Sequence, residues 1–380
     1  MTDSVYQRLG VTPAINARGL YTDLGGSSMS PRVMEAVAQA NGRFAEMTEL
    51  LDRAGEAIAS LLETDAARVT PGASAAIMLS LAACMTGLDG AKMEQLPDTT
   101  GMKGDVVIQR GHRYKYDRMV RMTGARLIEA GTDAGTTPAE LRGVIGANTA
   151  AILLPAHLDG LNSTVPLDKT VSIASEASVP VVVDAAYLNY PIDIMRGFTK
   201  AGADLVIFSA KYFGGPNAGG FVCGSSELIE AVAGVDFTRF ESGDHLIFGR
   251  PFKLDRWTVV AVVEALTEWI EMGHATRFER YGGLVETLAS GIPNEPWVSG
   301  TKKNFTMEEA VVDGPFNCLV VHLDPGSAPV SAAELHTRLR AASPAILTHL
   351  RGDEVILDVE AVTEDDADVI AGRLREELSG

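Results

Sequence analysis

The chain has 380 residues and a formal charge of −18 at neutral pH, from 32 basic and 50 acidic side chains. An acidic chain repels phosphate backbones, which argues against nucleic acid as its main partner, although Arg110, Arg113, Lys115, Arg118 and Arg121 form one local basic cluster. Cys84, Cys223 and Cys318 stand apart with no CxxC spacing, which argues against a disulfide framework and a metal site and fits a cytoplasmic protein.

Residues 1–11 are largely polar, so no signal peptide is expected there, and the longest apolar stretch, 75–85, is too short to span a bilayer. The length allows two domains, and 46% hydrophobic residues with 38 glycines is an ordinary α/β composition. In chain order, residues 31–62 carry apolar side chains at helical spacing: Val33, Met34 and Val37, then Ala54, Ile58, Leu61 and Leu62. Val69-Thr70-Pro71-Gly72-Ala73-Ser74 then reads as a turn feeding an apolar helix over 75–85. Backbone N–H groups at Gly72, Ala73 and Ser74 would make an anion site there, with the Ser74 and Thr70 hydroxyls assisting; a plain turn is the other reading. Neither GxxxxGK[ST] nor GxGxxG is present, so the P-loop and dinucleotide readings lack their fingerprints.

Short apolar strands are expected at 106–109, 125–129, 151–154, 179–184, 205–208 and 220–223, each bounded by Gly, Pro or Asp. Their alternation with helices predicts a mostly parallel central sheet flanked by helices on both faces. A long helix is expected over 254–272. Residues 282–305, rich in Gly, Pro and Asn, read as a boundary. Beyond it lie strands at 318–323 and 355–359 and capped helix starts at Ser331 and Thr363, which make a small C-terminal α+β domain. The expected division is 1–45 as an N-terminal arm, 46–281 as a large domain with a bridging helix at about 252–281, and 282–380 as the small domain.

Two strand ends carry the chemistry. Val181-Val182-Val183-Asp184-Ala185-Ala186 ends an apolar strand on an acid, and 27 residues later Phe208-Ser209-Ala210-Lys211 ends another on a lysine before Gly214-Gly215. Alone, Asp184 reads as a helix cap or surface acid and Lys211 as a surface lysine. Together they suit pyridoxal 5′-phosphate (PLP). Lys211 would form the Schiff base and shuttle the Cα proton, while Asp184 keeps the pyridine nitrogen protonated. Ala186 is small enough for a cofactor to lie flat beside it, and Ser209 stands where a hydroxyl would reach the phosphate. His112 follows the 106–109 strand and either stacks on the ring or is an ordinary loop histidine. His157, after Leu154-Pro155-Ala156, either faces the cofactor or substrate or has no special role.

With these motifs the chain resembles fold-type-I PLP enzymes of the selenocysteine synthase (L-seryl-tRNA selenium transferase) group, and within it the shorter ammonia-lyase-type members. The residues that carry the resemblance are Ile15-Asn16-Ala17-Arg18-Gly19 with Leu24-Gly25-Gly26-Ser27, Val69-Thr70-Pro71-Gly72-Ala73-Ser74, Ala83-Cys84-Met85-Thr86-Gly87, Arg110-Gly111-His112, Val183-Asp184-Ala185-Ala186 and Phe208-Ser209-Ala210-Lys211. The resemblance implies a PLP-dependent transferase-like fold, Lys211 as the Schiff-base lysine, Asp184 as ring-nitrogen partner and Gly72, Ala73 and Ser74 as the phosphate turn with Ser209. It also implies an N-terminal segment lining the active site, where Asn16, Arg18 and Thr22 would meet substrate, and a substrate contact at Arg250. Relatives often carry an arginine after a hydrophobic pair in the small domain, where this chain has Glu360. The expected function is a lyase that eliminates across the α and β carbons of a small polar, β-hydroxy amino acid or amino sugar acid, giving a 2-oxo acid and ammonia. The alternatives are a racemase, an aldolase or a selenium or sulfur transferase. The expected partners are a small amino acid substrate and a second copy of the chain or more, with no nucleic acid, membrane or metal.

Overall fold

The computed structural model describes residues 5–161, 163–241, 246–307 and 311–379. Its contacts divide the chain into two units, Ser28–Glu271 and Met1–Ser27 with Met272–Gly380. The first strand, β1 (Ala14–Asn16), belongs to the second unit.

The Ser28–Glu271 unit is built on β2 (Ala66–Thr70), β3 (Asp105–Gln109), β4 (Arg126–Ala130), β5 (Thr149–Pro155), β6 (Val181–Asp184), β7 (Leu205–Ser209) and β8 (Gly220–Gly224). They form one sheet in the order β2-β8-β7-β6-β5-β3-β4, in which β8 alone runs against the others. All seven residues of β5 and all five of β7 are buried, as expected of strands covered on both faces. The helix Ala73–Thr86 is apolar on nearly every side, because it lies within the core with Ile77, Leu79 and Leu81 packed among Val106, Val182 and Val222.

Residues 31–62 form two helices, Pro31–Asn41 and Met47–Leu62, with an exposed connection at 42–46. Ser30 caps the first by accepting the Val33 N–H at 3.2 Å. Both helices pack on the helix Arg256–Glu271, and Arg32 pairs with Glu264 and Glu271. Residues 28–45 therefore fold with the large unit and are no part of an arm. The expected bridging helix is also two helices. Arg256–Glu271 ends one unit, and His274–Ala289, begun at Gly273, opens the other. Gly282 and Gly283, read from sequence as boundary residues, sit inside this second helix, where no neighbour crowds them; an exposed helical glycine costs only about 1 kcal/mol.

The second unit carries β9 (Val298–Phe305), β10 (Val311–Val312), β11 (Cys318–Leu323), β12 (Ala345–Leu347), β13 (His349–Arg351) and β14 (Glu354–Asp358). Five of these make an antiparallel sheet in the order β10-β9-β11-β14-β13, and β1 pairs in parallel with β12. Its core joins Leu319, Val321 and Leu357 to Leu335 and Leu339 of the helix Ala332–Ala341 and to Ile370 and Leu374 of Glu364–Leu378. Both of these helices start with a capping box, at Ser331 with Glu334 and at Thr363 with Asp366. The sequence hides β9 because only Val298 and Phe305, its two ends, are buried. No helix among the described residues is long and apolar enough to cross a membrane.

Candidate active site

Parallel strands in an open sheet present their carboxyl ends along one edge, which is where such folds bind ligands. Asp184 is the last residue of β6, in register with Pro155 of β5 on one side and Ile207 of β7 on the other. Two residues past Ile207 comes Ser209, and the turn Ala210–Phe213 then carries Lys211. Gly220 of β8 stands between Ser209 of β7 and Thr70 of β2 in register, so the Gly72 turn lies one short step from Ser209. Gly72 has a φ of 86°, and a Cβ on Gly220 would sit 3.0 Å from its backbone; glycine at both places lets the strand and the turn come together.

Asp184 and Lys211 are 5% and 6% exposed, so two ionisable groups are buried at neighbouring strand ends. Asp184 Oδ2 accepts the Tyr114 hydroxyl at 2.6 Å, and its Oδ1 accepts the Ala186 N–H at 3.2 Å. Burial pushes the Asp184 carboxyl above its ordinary range, and the two neutral donors only partly oppose this. Lys211 Nζ lies 4.8 Å from the centroid of the Tyr212 ring.

The helix Ala73–Thr86 starts at Gly72 without a side-chain cap. The N–H groups of Ala73, Ser74 and Ala75 make no hydrogen bond among the described residues, which leaves a positive helix end open to an anion. Thr70, by contrast, is fully buried and its hydroxyl bonds to the Gly72 carbonyl at 3.3 Å, inside its own turn. His112 is wholly buried. The Leu158 backbone approaches it, but neither ring nitrogen completes a hydrogen bond, and burial pushes its pKa down to about 4. It is therefore a neutral, flat side chain at neutral pH. His157 is also pushed down by burial.

Three aromatic residues escaped the sequence reading. Tyr114 stacks edge-on to His157 at 5.6 Å, His157 meets Tyr187 at 5.5 Å, and Tyr187 meets Tyr212 at 5.8 Å. This arc of rings runs from the Asp184 carboxylate to the Lys211 amine. A signal existed: Tyr114 is two residues past His112, Tyr187 follows Ala186 and Tyr212 follows Lys211. The basic cluster seen in the sequence is largely neutralised at its start. Arg110 pairs with Glu129 and Asp133, and Arg113 with Asp117 and Glu129.

Arg250 lies in the short turn Arg250–Phe252, 5.6 Å over the Phe240 ring. Asn16, Arg18 and Thr22 belong to the other unit. There Asn16 bonds to the Gly19 carbonyl at 2.9 Å and accepts the Arg18 N–H at 3.0 Å, while Arg18 pairs with Asp23 at 3.0 Å and lies 4.9 Å over Tyr21. Thr22 opens the turn Thr22–Leu24.

The Ser28–Glu271 set fits PLP on three counts: a buried carboxylate with only neutral donors, a buried lysine in the turn that follows the adjacent strand, and unpaired N–H groups at a glycine-opened helix start. The fold and its likenesses define the class: a PLP-dependent enzyme of fold type I. The chain belongs to the L-seryl-tRNA selenium transferase family, whose model matches residues 14–250. It is 29% identical to the D-glucosaminate-6-phosphate ammonia lyase of Salmonella typhimurium, over 99% of this chain and 98% of that one. It is 28% identical to a 5′-C-glycyluridine monooxygenase-decarboxylase of a Streptomyces species, over 98% of this chain and 92% of that one. A solved structure of D-glucosaminate-6-phosphate ammonia-lyase superposes with a TM-score of 0.86 at 26% identity, covering both chains in full.

Proposed function

We propose that this enzyme is an ammonia-lyase that eliminates water from a small polar β-hydroxy amino acid or amino sugar acid. The observation that carries the reading is the burial of Asp184 and Lys211 at the ends of adjacent parallel strands, in a chain similar along its whole length to an ammonia lyase. When bound, PLP supplies an electron sink that makes the Cα–H bond acidic. Lys211 holds the coenzyme aldehyde and takes the Cα proton at Nζ. Asp184 holds a proton at the ring nitrogen. Of the expected turn, the Gly72 N–H is already bonded to the Thr70 carbonyl at 2.8 Å, so Ala73 and Ser74, joined by Ala75, would donate backbone N–H groups to the phosphate, with the Ser209 hydroxyl beside them. His112, neutral and flat, would stand beside the ring once the coenzyme is held, and Ala186 would leave room for it. His157 and Arg250 are the proposed substrate contacts within the Ser28–Glu271 unit. The substrate loses its α proton and β hydroxyl as water, and the released enamine takes up one water to give a 2-oxo acid and ammonia. The working unit is a homodimer or larger assembly in the cytoplasm.

The likeness to a monooxygenase-decarboxylase at nearly the same identity supports a second reading, cleavage of a carbon–carbon bond at the same centre. Purified enzyme loaded with PLP, offered D- and L-β-hydroxy amino acids and 2-amino sugar acids, separates the two. Equal yields of ammonia and 2-oxo acid support elimination. Carbon dioxide or aldehyde without ammonia supports the second reading, and no product from any of them overturns both.

A further inference from the structure

We infer that Tyr114 is a positioning residue that sets where the proton rests between Asp184 and the cofactor's ring nitrogen. The inference depends on Asp184 being the ring-nitrogen partner, as proposed above. Tyr114 sits in a tight turn after His112. Asp117 holds that turn by pairing with Arg113 and accepting the Tyr114 N–H at 3.3 Å. The turn sends the phenol inward against His157 and onto Asp184 Oδ2 at 2.6 Å. That distance is at the short end of the O–H···O range.

Asp184 has two proton acceptors and two neutral donors, one to each oxygen. In a low-dielectric site a carboxylic acid hydrogen-bonded to a neutral pyridine competes with a carboxylate paired to a pyridinium. Burial favours the neutral pair, and a donor on the carboxylate favours the charged one. Ala186 donates from the backbone at 3.2 Å, so Tyr114 supplies the shorter bond and the one a side-chain change can remove. Desolvation and the Asp184 charge push the Tyr114 phenol far above its ordinary range, so the hydroxyl stays a donor and does not give up its proton. Tyr114 thereby tips the pair toward pyridinium, the form that draws electrons from the substrate.

The test is nitrogen NMR of the enzyme loaded with PLP labelled with 15N in the ring. In Tyr114→Phe the ring-nitrogen signal is expected to move toward the neutral-pyridine position, and the PLP dissociation constant to rise about tenfold, as for loss of one hydrogen bond to a charged group. Replacement of Tyr114 by 3,5-difluorotyrosine, a stronger donor of the same shape, is expected to move the signal the other way. A merely structural role would not reverse sign between the two. Unmoved signals in both proteins overturn the inference, and if the Phe protein does not load PLP, the difluorotyrosine protein alone decides. Asp184→Asn is the control. If it moves the signal while Tyr114 variants do not, only this inference fails; if it too leaves the signal unmoved, the assignment of Asp184 itself fails.

Discussion

Arg68 and Asp236 form a buried ion pair, Nη2 to Oδ2 at 2.6 Å, with both side chains almost wholly shielded from water. Arg68 is on β2, and Asp236 follows the helix Ser226–Val235, so the pair ties that helix to the sheet strand that leads into the Gly72 turn. Arg68 also reaches the exposed Asp52 at 2.6 Å, and Asp236 takes both the Thr238 N–H and hydroxyl. Removing one partner of a buried pair strands the other charge. Asp236→Ala is therefore expected to cost about 3 kcal/mol, whereas Asp52→Asn should cost under about 1 kcal/mol. Urea unfolding of the two variants checks this; equal losses would show that the buried pair has no special weight.

Lys211→Ala should abolish the visible absorbance of attached cofactor and lower kcat on the order of a thousandfold, since the proposed function gives one amine both attachment and proton transfer. Absorbance spectra and product assays on the variant measure both. Retained turnover would assign the Cα proton to another group.

Gly220→Ala should weaken cofactor binding without touching any proposed catalytic group. The added methyl would lie 2.7 Å from the Phe208 carbonyl and 3.0 Å from Gly72, so β8 or the turn must move. Overpacking of this kind costs roughly 1–3 kcal/mol, and the disturbed N–H groups should raise the PLP dissociation constant about tenfold. Fluorescence titration with PLP reads it directly, and an unchanged constant would place the phosphate elsewhere.

Asp358, buried at the end of β14, and Glu360, partly buried just beyond it, make an acid pair. The Glu360 N–H bonds to Asp358 Oδ1 at 2.7 Å, and Glu360 accepts from Asn317 at 3.4 Å. Burial, and then the charge of Glu360, hold the Asp358 carboxyl well above its ordinary range; burial also raises Glu360, partly opposed by Asn317 and Arg277. An acid whose folded pKa is raised keeps its proton in the fold after the unfolded chain has lost it. The stability contribution is thus complete below about pH 4 and falls as pH rises toward the folded pKa, by about 1.4 kcal/mol per pH unit while one proton separates the states. Asp358→Asn keeps the acceptor for the Glu360 N–H and should flatten this decline. Urea midpoints between pH 5 and 8 test it, and parallel slopes for variant and wild type would count against the pair.

Much of this site was legible before any fold was known. Asp184 ends one short apolar strand and Lys211 follows another by two residues, and strand, acid or lysine, and small-residue turn all lie within a few residues of one another. Local patterns of that kind survive in a linear reading. So do the capping boxes at Ser331 and Thr363, whose partners are three residues apart. Strand β9 did not survive it, because its middle faces outward and reads as polar loop. The packing of the Pro31–Asn41 helix on Arg256–Glu271 was hidden for a different reason: nothing local in either helix names its partner.

The sequence by itself determined the cofactor class and pointed to Asp184 and Lys211 as the two groups proposed to grip it, because such chemistry is carried by residue type at strand ends. Only the tertiary structure decided that Tyr114, 70 residues before Asp184, is the hydroxyl on its carboxylate, and that Gly220 holds Ser209 beside the Gly72 turn. Such pairings follow from strand order and register, which are set by how whole elements bury their apolar faces together.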